Sequence, residues 1–153
     1  MKHTFITIFI SIFLLTTTHA QLPPVPDPDF GIQGSVLLNL DWIEEYATAV
    51  AIQPWDGKIL VGVITVEPSR TNSVLIRLNP DGSLDKQFAQ EGIQPGFFPT
   101  VSNRLVSVLV QEDHKILLSG NAGDQSIPNT TDFVVARLLE DGTPDPNFGQ
   151  DGL

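Results

Sequence analysis

Short apolar runs separated by polar turns fill most of this chain, and they recur in two similar halves. In the first half, such runs predict strands at Val36–Leu40, Thr48–Gln53, Lys58–Val66 and Ser73–Leu78. In the second half, they predict strands at Ile93–Thr100, Leu105–Gln111, Lys115–Gly120 and Phe133–Leu138. Turn dipeptides such as Asp56-Gly57 and Asp81-Gly82 separate the runs. The pattern therefore predicts an all-β chain.

A longer motif shows that the two halves are repeats. Val74 to Phe88 reads V-L-I-R-L-N-P-D-G-S-L-D-K-Q-F, and Phe133 to Phe148 reads F-V-V-A-R-L-L-E-D-G-T-P-D-P-N-F. The Asp-x-x-Phe ending occurs a third time at Asp27–Phe30, so its phenylalanines are spaced by 58 and then 60 residues. Four strands with their turns fill such a unit, whereas one coil of a β-solenoid is far shorter.

The inner strands carry apolar residues on both faces, without the alternation of a half-exposed sheet. The residues concerned are Val50, Ile52, Leu60, Val106, Val108 and Val110. Strands of this kind predict sheets covered on both sides, as in the radially stacked blades of a β-propeller. The expected fold is a series of antiparallel four-stranded blades, with one blade at residues 30–91 and a second at 92–153.

Two full repeats are fewer than the about four to eight blades that close a propeller. The sequence thus favours the N-terminal part of a longer exported protein. The alternative is a short protein that closes its ring as a homo-oligomer.

Residues 1–20 have the features of a signal peptide. Lys2 and His3 precede an apolar run at Phe5–Leu15, and small residues lead to a predicted cleavage site after Ala20. The run is too short to span a bilayer, although a retained N-terminal anchor is the alternative. Residues 21–29 contain four prolines and predict an extended leader. A secreted or cell-surface protein, extracellular or periplasmic in a bacterium, is therefore expected.

Charge limits the possible partners, and cysteine content limits the ways in which the fold can be stabilised. The formal net charge of −10 disfavours nucleic acid, because an acidic surface repels phosphates. There is no cysteine, so a disulfide framework is excluded and a packed core must stabilise the fold.

The repeat resembles the delta-60 repeat of bacterial propeller-like proteins. In that family the pattern is close to L-Q-P-D-G-K-I-L-V-A-G, followed by A-R-L-N-P-D-G-S-L-D-x-x-F-G. Gln53–Gly62 and Ile76–Phe88 match it, apart from an inserted Trp55. In the second repeat His114 replaces the turn glycine, and Ala89 replaces the glycine after the first repeat's phenylalanine. The resemblance implies propeller blades and no general activity.

The sequence predicts no catalytic, cofactor-binding or metal-binding residue. His114 is the only histidine beyond the signal peptide, and no Gly-x-Ser-x-Gly elbow is present. The oxygen-rich run Asn79–Asp85 suggests a calcium loop, but a proline-initiated turn explains it better. Arg77 and Arg137 occupy the same place in their strands and predict repeated ion pairs with nearby aspartates.

Three aromatic residues lack counterparts in the second repeat: Trp42, Tyr46 and Trp55. Packing is the favoured interpretation, and a glycan-binding surface is the alternative. The sequence as a whole predicts a non-enzymatic scaffold or interaction module with an unknown protein or glycan partner. The competing hypotheses are part of a propeller enzyme, or a calcium- or glycan-binding adhesin.

Overall fold

The computed structural model describes residues 25–41, 43–98, 102–123 and 130–153, so the predicted signal peptide lies outside the described residues. The strands are β1 (Glu44–Ile52), β2 (Ile59–Glu67), β3 (Arg70–Leu78), β4 (Ile93–Pro95), β5 (Ser102–Val110), β6 (Ile116–Gly123) and β7 (Asp132–Leu138). These described ranges contain no helix long and apolar enough to cross a membrane. The all-β prediction is confirmed.

The strands form two antiparallel sheets that follow one another along the chain. The first sheet has the order β1-β2-β3-β4, and the second has the order β5-β6-β7. Both contain a register shift at the matching place in their first strand, between Ala47 and Ala49 and between Leu105 and Ser107. The two sheets therefore have the form of successive propeller-like blades, and they do not close a ring.

The predicted strand at Val36–Leu40 is wrong. This segment forms no ladder with the described strands, and its side chains at Val36, Leu38 and Leu40 pack against the first sheet instead. A strand needs a backbone partner as well as an apolar face. The segment finds the apolar face on the first sheet, but it pairs with neither edge strand of that sheet.

The prediction of one strand at Ile93–Thr100 is also corrected. Only Ile93–Pro95 is a strand, and it is the fourth strand of the first sheet, paired with β3, rather than the first strand of the second sheet. Pro95 has no N–H to donate, and Gly96 adopts a φ of 68°. The strand ends there, and Phe97 and Phe98 turn into the core.

The main core lies between the two sheets. Leu60 and Leu75 of the first sheet pack with Leu105 and Leu118 of the second, and all four are buried. A Cβ at Gly62 would lie 2.2 Å from the Leu105 side chain, so only glycine permits this approach. The back of the first sheet thus packs on the front of the second, as adjacent blades do.

The prediction of strands covered on both faces holds only between the sheets. Val108, on the front of the second sheet, is 9% exposed, whereas Val50, at the equivalent place in the first sheet, is 68% exposed. Ile52 and Val106 are exposed as well. The prediction was wrong for Val50 and Ile52, because the front of the first sheet meets no further sheet among the described residues. It was also wrong for Val106, which lies at the register shift of β5.

On the back faces, the first sheet is buried and the second sheet is exposed. Leu75, on the back of the first sheet, is 0% exposed, whereas the equivalent Val135 is 37% exposed. We call the surface formed by Leu109, Leu117, Phe133 and Val135 the outer back face. Apart from Leu117, which is half-buried, its residues are exposed large hydrophobic side chains.

Substitutions at equivalent positions of the two sheets test this asymmetry. We expect Leu75→Ala to lower the free energy of unfolding by about 2–5 kcal/mol, because it opens a cavity between the sheets. Val135→Ala is expected to cost less than about 1 kcal/mol, because much of the side chain is already exposed. Urea unfolding measures both, and equal losses at the two positions would contradict the described packing.

Candidate functional site

A turn built around a repeated Asp-Gly pair follows the third strand of each sheet, and we call it the closing turn (residues 79–83 and 139–143). In the first repeat Gly82 N–H donates to Asn79 O at 2.9 Å, and Asn79 N–H donates to Ser83 O at 2.8 Å. Asp81 Oδ1 accepts from the Ser83 hydroxyl and N–H at 2.7 and 2.9 Å, and these two bonds lower the pKa of Asp81. Asp141 and Thr143 repeat the arrangement. The turn interpretation of Asn79–Asp85 is consistent with these bonds.

The Asp-x-x-Phe motif is a second turn, and its three copies share one backbone form. The phenylalanine N–H donates to the aspartate carbonyl at 3.2, 3.0 and 3.1 Å in the copies ending at Phe30, Phe88 and Phe148. The next residue is left-handed each time, with φ of 56° at Gly31, 45° at Ala89 and 54° at Gly149. Replacement of glycine by Ala89 has therefore not changed the turn, although it places an alanine in a strained conformation.

A buried ion cluster joins the Asp-x-x-Phe turn of the first repeat to β3 and to Lys58, the residue before β2. Arg77 Nε lies 2.7 Å from Asp85 Oδ2, Lys58 Nζ lies 3.0 Å from the same oxygen, and the guanidinium stacks 4.4 Å above the Phe88 ring. The Asp85 side chain is almost fully buried. The predicted Arg77 ion pair is confirmed: of the two nearby aspartates, Asp81 and Asp85, its partner is Asp85.

The second repeat builds the same cluster from equivalent residues. Arg137 Nε lies 2.8 Å from Asp145 Oδ2, Lys115 Nζ lies 3.4 Å from it, and the guanidinium lies 4.6 Å from the Phe148 ring. Lys58 and Lys115 were missed as members of the cluster. Their identical place before Ile-Leu in both repeats was the available signal, but the contact joins strands distant in sequence.

The two buried carboxylates are held in their charged form. Burial by itself would raise the pKa of Asp85, but hydrogen bonds from Lys58, the Gln87 N–H and Arg77 outweigh it and lower that pKa. The Asn147 N–H lowers the pKa of Asp145; burial opposes this, and Arg137 and Lys115 add to the lowering. Both carboxylates are engaged in ion pairs and hydrogen bonds within the fold, so they are poorly suited to general acid–base catalysis.

The Asp-x-x-Phe turn also connects one repeat to the next. Ala89 N–H donates to the Asp141 carbonyl at 2.9 Å, and Arg77 Nη1 donates to the Glu140 carbonyl at 2.6 Å. A Cβ at Gly142 would lie 2.7 Å from the Phe88 ring, so the phenylalanine packs directly on the closing turn. We call this contact between one Asp-x-x-Phe turn and the following closing turn a repeat junction.

A first repeat junction forms at the start of the described chain. Gly31 N–H donates to the Asp81 carbonyl at 2.8 Å, and a Cβ at Gly82 would lie 3.2 Å from the Phe30 ring. The third copy, ending at Phe148, meets no closing turn among the described residues. The described residues thus contain three Asp-x-x-Phe turns and two closing turns.

Of the three aromatic residues found only in the first repeat, the two that the structure describes differ in their packing. Trp55 stacks on His114 with 3.8 Å between ring centroids, and His114 Nδ1 lies 3.3 Å from Glu140 Oε2. Trp55 therefore packs against the second repeat, and His114 takes a φ of 67° where the first repeat has Gly57 at 72°. Tyr46 is largely exposed. Trp42 lies outside the described residues.

The described ranges contain no group of three or more histidine or acidic side chains placed to hold a metal ion. Their charged side chains instead form contacts within repeats and at junctions. This arrangement can fix the angle between successive sheets, and it offers a surface for further stacking.

Comparison with known proteins supports the repeat architecture. Residues 56–88 and 111–148 match a family described as "domain of unknown function (DUF5122) beta-propeller". Each matched segment ends at the phenylalanine of an Asp-x-x-Phe turn. No curated protein and no solved structure gives a significant match to the chain. The chain is therefore similar to a β-propeller-like repeat family.

Removal of one buried carboxylate tests the role of the ion cluster. We expect Asp85→Asn to lower the free energy of unfolding at neutral pH by about 3–5 kcal/mol, since Arg77 and Lys58 lose their shared partner. Because the pKa of Asp85 is lowered in the folded protein, its stabilisation is present above about pH 4 and is lost as the pH falls further.

Acid titration of stability therefore provides a second readout for the same variant. Urea unfolding is measured from about pH 6 to about pH 2. As the pH falls, the free energy of unfolding should decrease less for Asp85→Asn than for the unmodified protein. Glu112→Gln, at an exposed turn, is the control and should retain the full slope. Identical slopes for all three proteins would refute the structural role of Asp85.

Proposed function

From the match to a β-propeller-like family, we propose that this chain is an exported, non-catalytic interaction module of the delta-60 type. The observation that carries the proposal is the outer back face, where Val135 is 37% exposed and Phe133 is 86% exposed. The matching residues of the first sheet, Leu75 and Ser73, are buried. An apolar surface of this kind is typical of a protein interaction site.

The polar residues support a structural rather than a catalytic role. The repeated arginines and aspartates neutralise each other in buried clusters, and the turn aspartates accept bonds from neighbouring hydroxyl and N–H groups. A propeller enzyme would instead need polar groups from several blades directed at one central channel. The signal peptide predicted at residues 1–20 favours a location outside the cytoplasm.

Two lysine substitutions on the outer back face test the proposal. The unmodified protein should enhance the fluorescence of 8-anilinonaphthalene-1-sulfonate, since its apolar face remains exposed. Leu109→Lys combined with Val135→Lys should remove most of this enhancement and leave the melting temperature within a few degrees, because lysine at an exposed position costs little.

Ser69→Lys, in the exposed β2–β3 loop, provides a charge control and should retain dye binding. Unfolding of the double-lysine variant would mean that the face is part of the core. An absence of dye enhancement by the unmodified protein, at a concentration where it is monomeric, would mean that no accessible apolar surface exists. Either result would contradict an interaction surface at this place.

The calcium-binding adhesin is the alternative with a direct test. Asp81 and Asp85 have the oxygen ligands that calcium prefers, but both already accept hydrogen bonds or pair with cations. We therefore expect the same melting temperature in excess calcium and in excess chelator, measured by calorimetry. A stabilisation by calcium that Asp81→Asn removes would favour the adhesin instead.

A further inference from the structure

The three Asp-x-x-Phe turns and two closing turns point to a specific partner. Resting on the proposed function, we propose that the outer back face docks head to tail onto the first sheet of a second copy of this chain. We further propose that residues 27–31 of the accepting copy compete for the same site and limit this assembly.

The contact between the two sheets of one chain supplies the geometry for docking. There the back of the first sheet, at Gly62 and Leu75, meets the front of the second sheet, at Leu105 and Val108. We call the outer back face the donor side and the exposed front of the first sheet the acceptor side. By the strand registers, Gly62 and Leu75 correspond to Ser119 and Val135 on the donor side. Leu105 and Val108 correspond to Ala47 and Val50 on the acceptor side. The outer faces thus carry the two halves of an interface that the chain already makes once.

The donor side also has a free strand edge. Residues 74–76 of β3 pair with β4, whereas the equivalent residues 134–136 of β7 pair only with β6 among the described strands. An unpaired edge beside an exposed apolar face favours the addition of another strand. Docking would supply that strand from residues 35–37 of the second copy, which stand at the place of β4 in the repeat.

The last Asp-x-x-Phe turn provides the polar part of the donor surface. Phe88 is fully buried at its junction, whereas Phe148 is half-buried. Ala89 N–H donates to the Asp141 carbonyl, but the equivalent Gly149 N–H has no acceptor among the described residues. Because all three turns share one backbone form, Phe148 and Gly149 fit a closing turn as Phe88 and Ala89 do.

The acceptor side carries a closing turn, but residues 27–31 of the same chain, the end of the leader and the two residues after it, already occupy that turn. Gly31 N–H already binds the Asp81 carbonyl, and Phe30 already packs on Gly82. The leader therefore imitates the turn of a preceding repeat. Val50 and Ile52 nevertheless stay exposed on the same sheet, because the leader brings no sheet of its own.

The leader and a second copy would therefore contribute different contacts to the acceptor side. The leader offers one turn at high local concentration, whereas a second copy offers the same turn together with the outer back face. Apolar burial across the sheet favours the second copy as protein concentration rises, while tethering favours the leader. The structure consequently predicts concentration-dependent association that is strengthened when the leader is released.

The same substitution at two equivalent glycines tests the competition. Proline has no N–H and cannot adopt the positive φ of Gly31 or Gly149. Gly31→Pro should release the leader and strengthen self-association by about tenfold or more, the amount expected for one junction hydrogen bond with its packing. Gly149→Pro should weaken self-association by a similar factor. Sedimentation velocity over a concentration series measures both, and calorimetry confirms that each variant is folded.

Disulfide trapping identifies the faces in contact. The chain has no cysteine, so introduced thiols report only on the chosen contact. In the Gly31→Pro background, chains with Ala47→Cys mixed with chains with Ser119→Cys should form a disulfide-linked pair, because these positions match the contact between Leu105 and Gly62. Each cysteine variant alone should remain largely uncrosslinked, and Ser69→Cys mixed with Ala47→Cys is the control.

The possible outcomes separate this proposal from the proposed function. Cross-linking of Ser119→Cys chains alone would show back-to-back pairing and overturn the head-to-tail arrangement. A monomer at every concentration, in all variants, would overturn the second copy as the partner, while dye binding at Leu109 and Val135 would still support an interaction surface. Weakening by Gly31→Pro would overturn the competing role of the leader.

Discussion

The buried contact between Arg77 and Asp85 supports the rest of this structure. It fixes the end of β3 to the turn that follows, and it places Phe88 under the guanidinium. Arg77 also reaches the Glu140 carbonyl of the next repeat, so one side chain fixes both the turn and the junction. Two charges removed from water require such complete pairing, because a partner lost from a buried pair leaves the other charge uncompensated.

Stacking of the sheets follows from that junction. Once Phe88 and Ala89 are seated on the second closing turn, the back of the first sheet faces the front of the second at a fixed angle. The apolar residues between them then bury one another, and Gly62 permits the close approach. The outer faces carry related residues that gain no such cover among the described parts of the chain. This accounts for large exposed hydrophobic side chains on an otherwise strongly acidic protein.

The repeat also explains why the leader is more than an extended approach to the first sheet. Its Asp27–Phe30 turn occupies the first closing turn in the manner of a preceding repeat. The predicted division into a leader at residues 21–29 and a first repeat at 30–91 separates residues that share one turn. A motif read along the sequence marks where a turn forms, while the identity of the closing turn it meets depends on which surfaces are available.

The sequence by itself determined strands β1–β3 and β5–β7, the closing turns and the Arg77 ion pair, because these depend on local periodicity and on contacts repeated at a constant spacing. It did not determine that Ile93–Pro95 completes the preceding sheet, that Val36–Leu40 packs without a ladder, or that Lys58 and Lys115 join the buried clusters. Nor did it distinguish Leu75 from Val135, whose apolar character is the same. Only the tertiary structure decided these points. Backbone pairing and burial depend on which strand or sheet lies beside a residue in space, and the residues adjacent in sequence do not specify that neighbour.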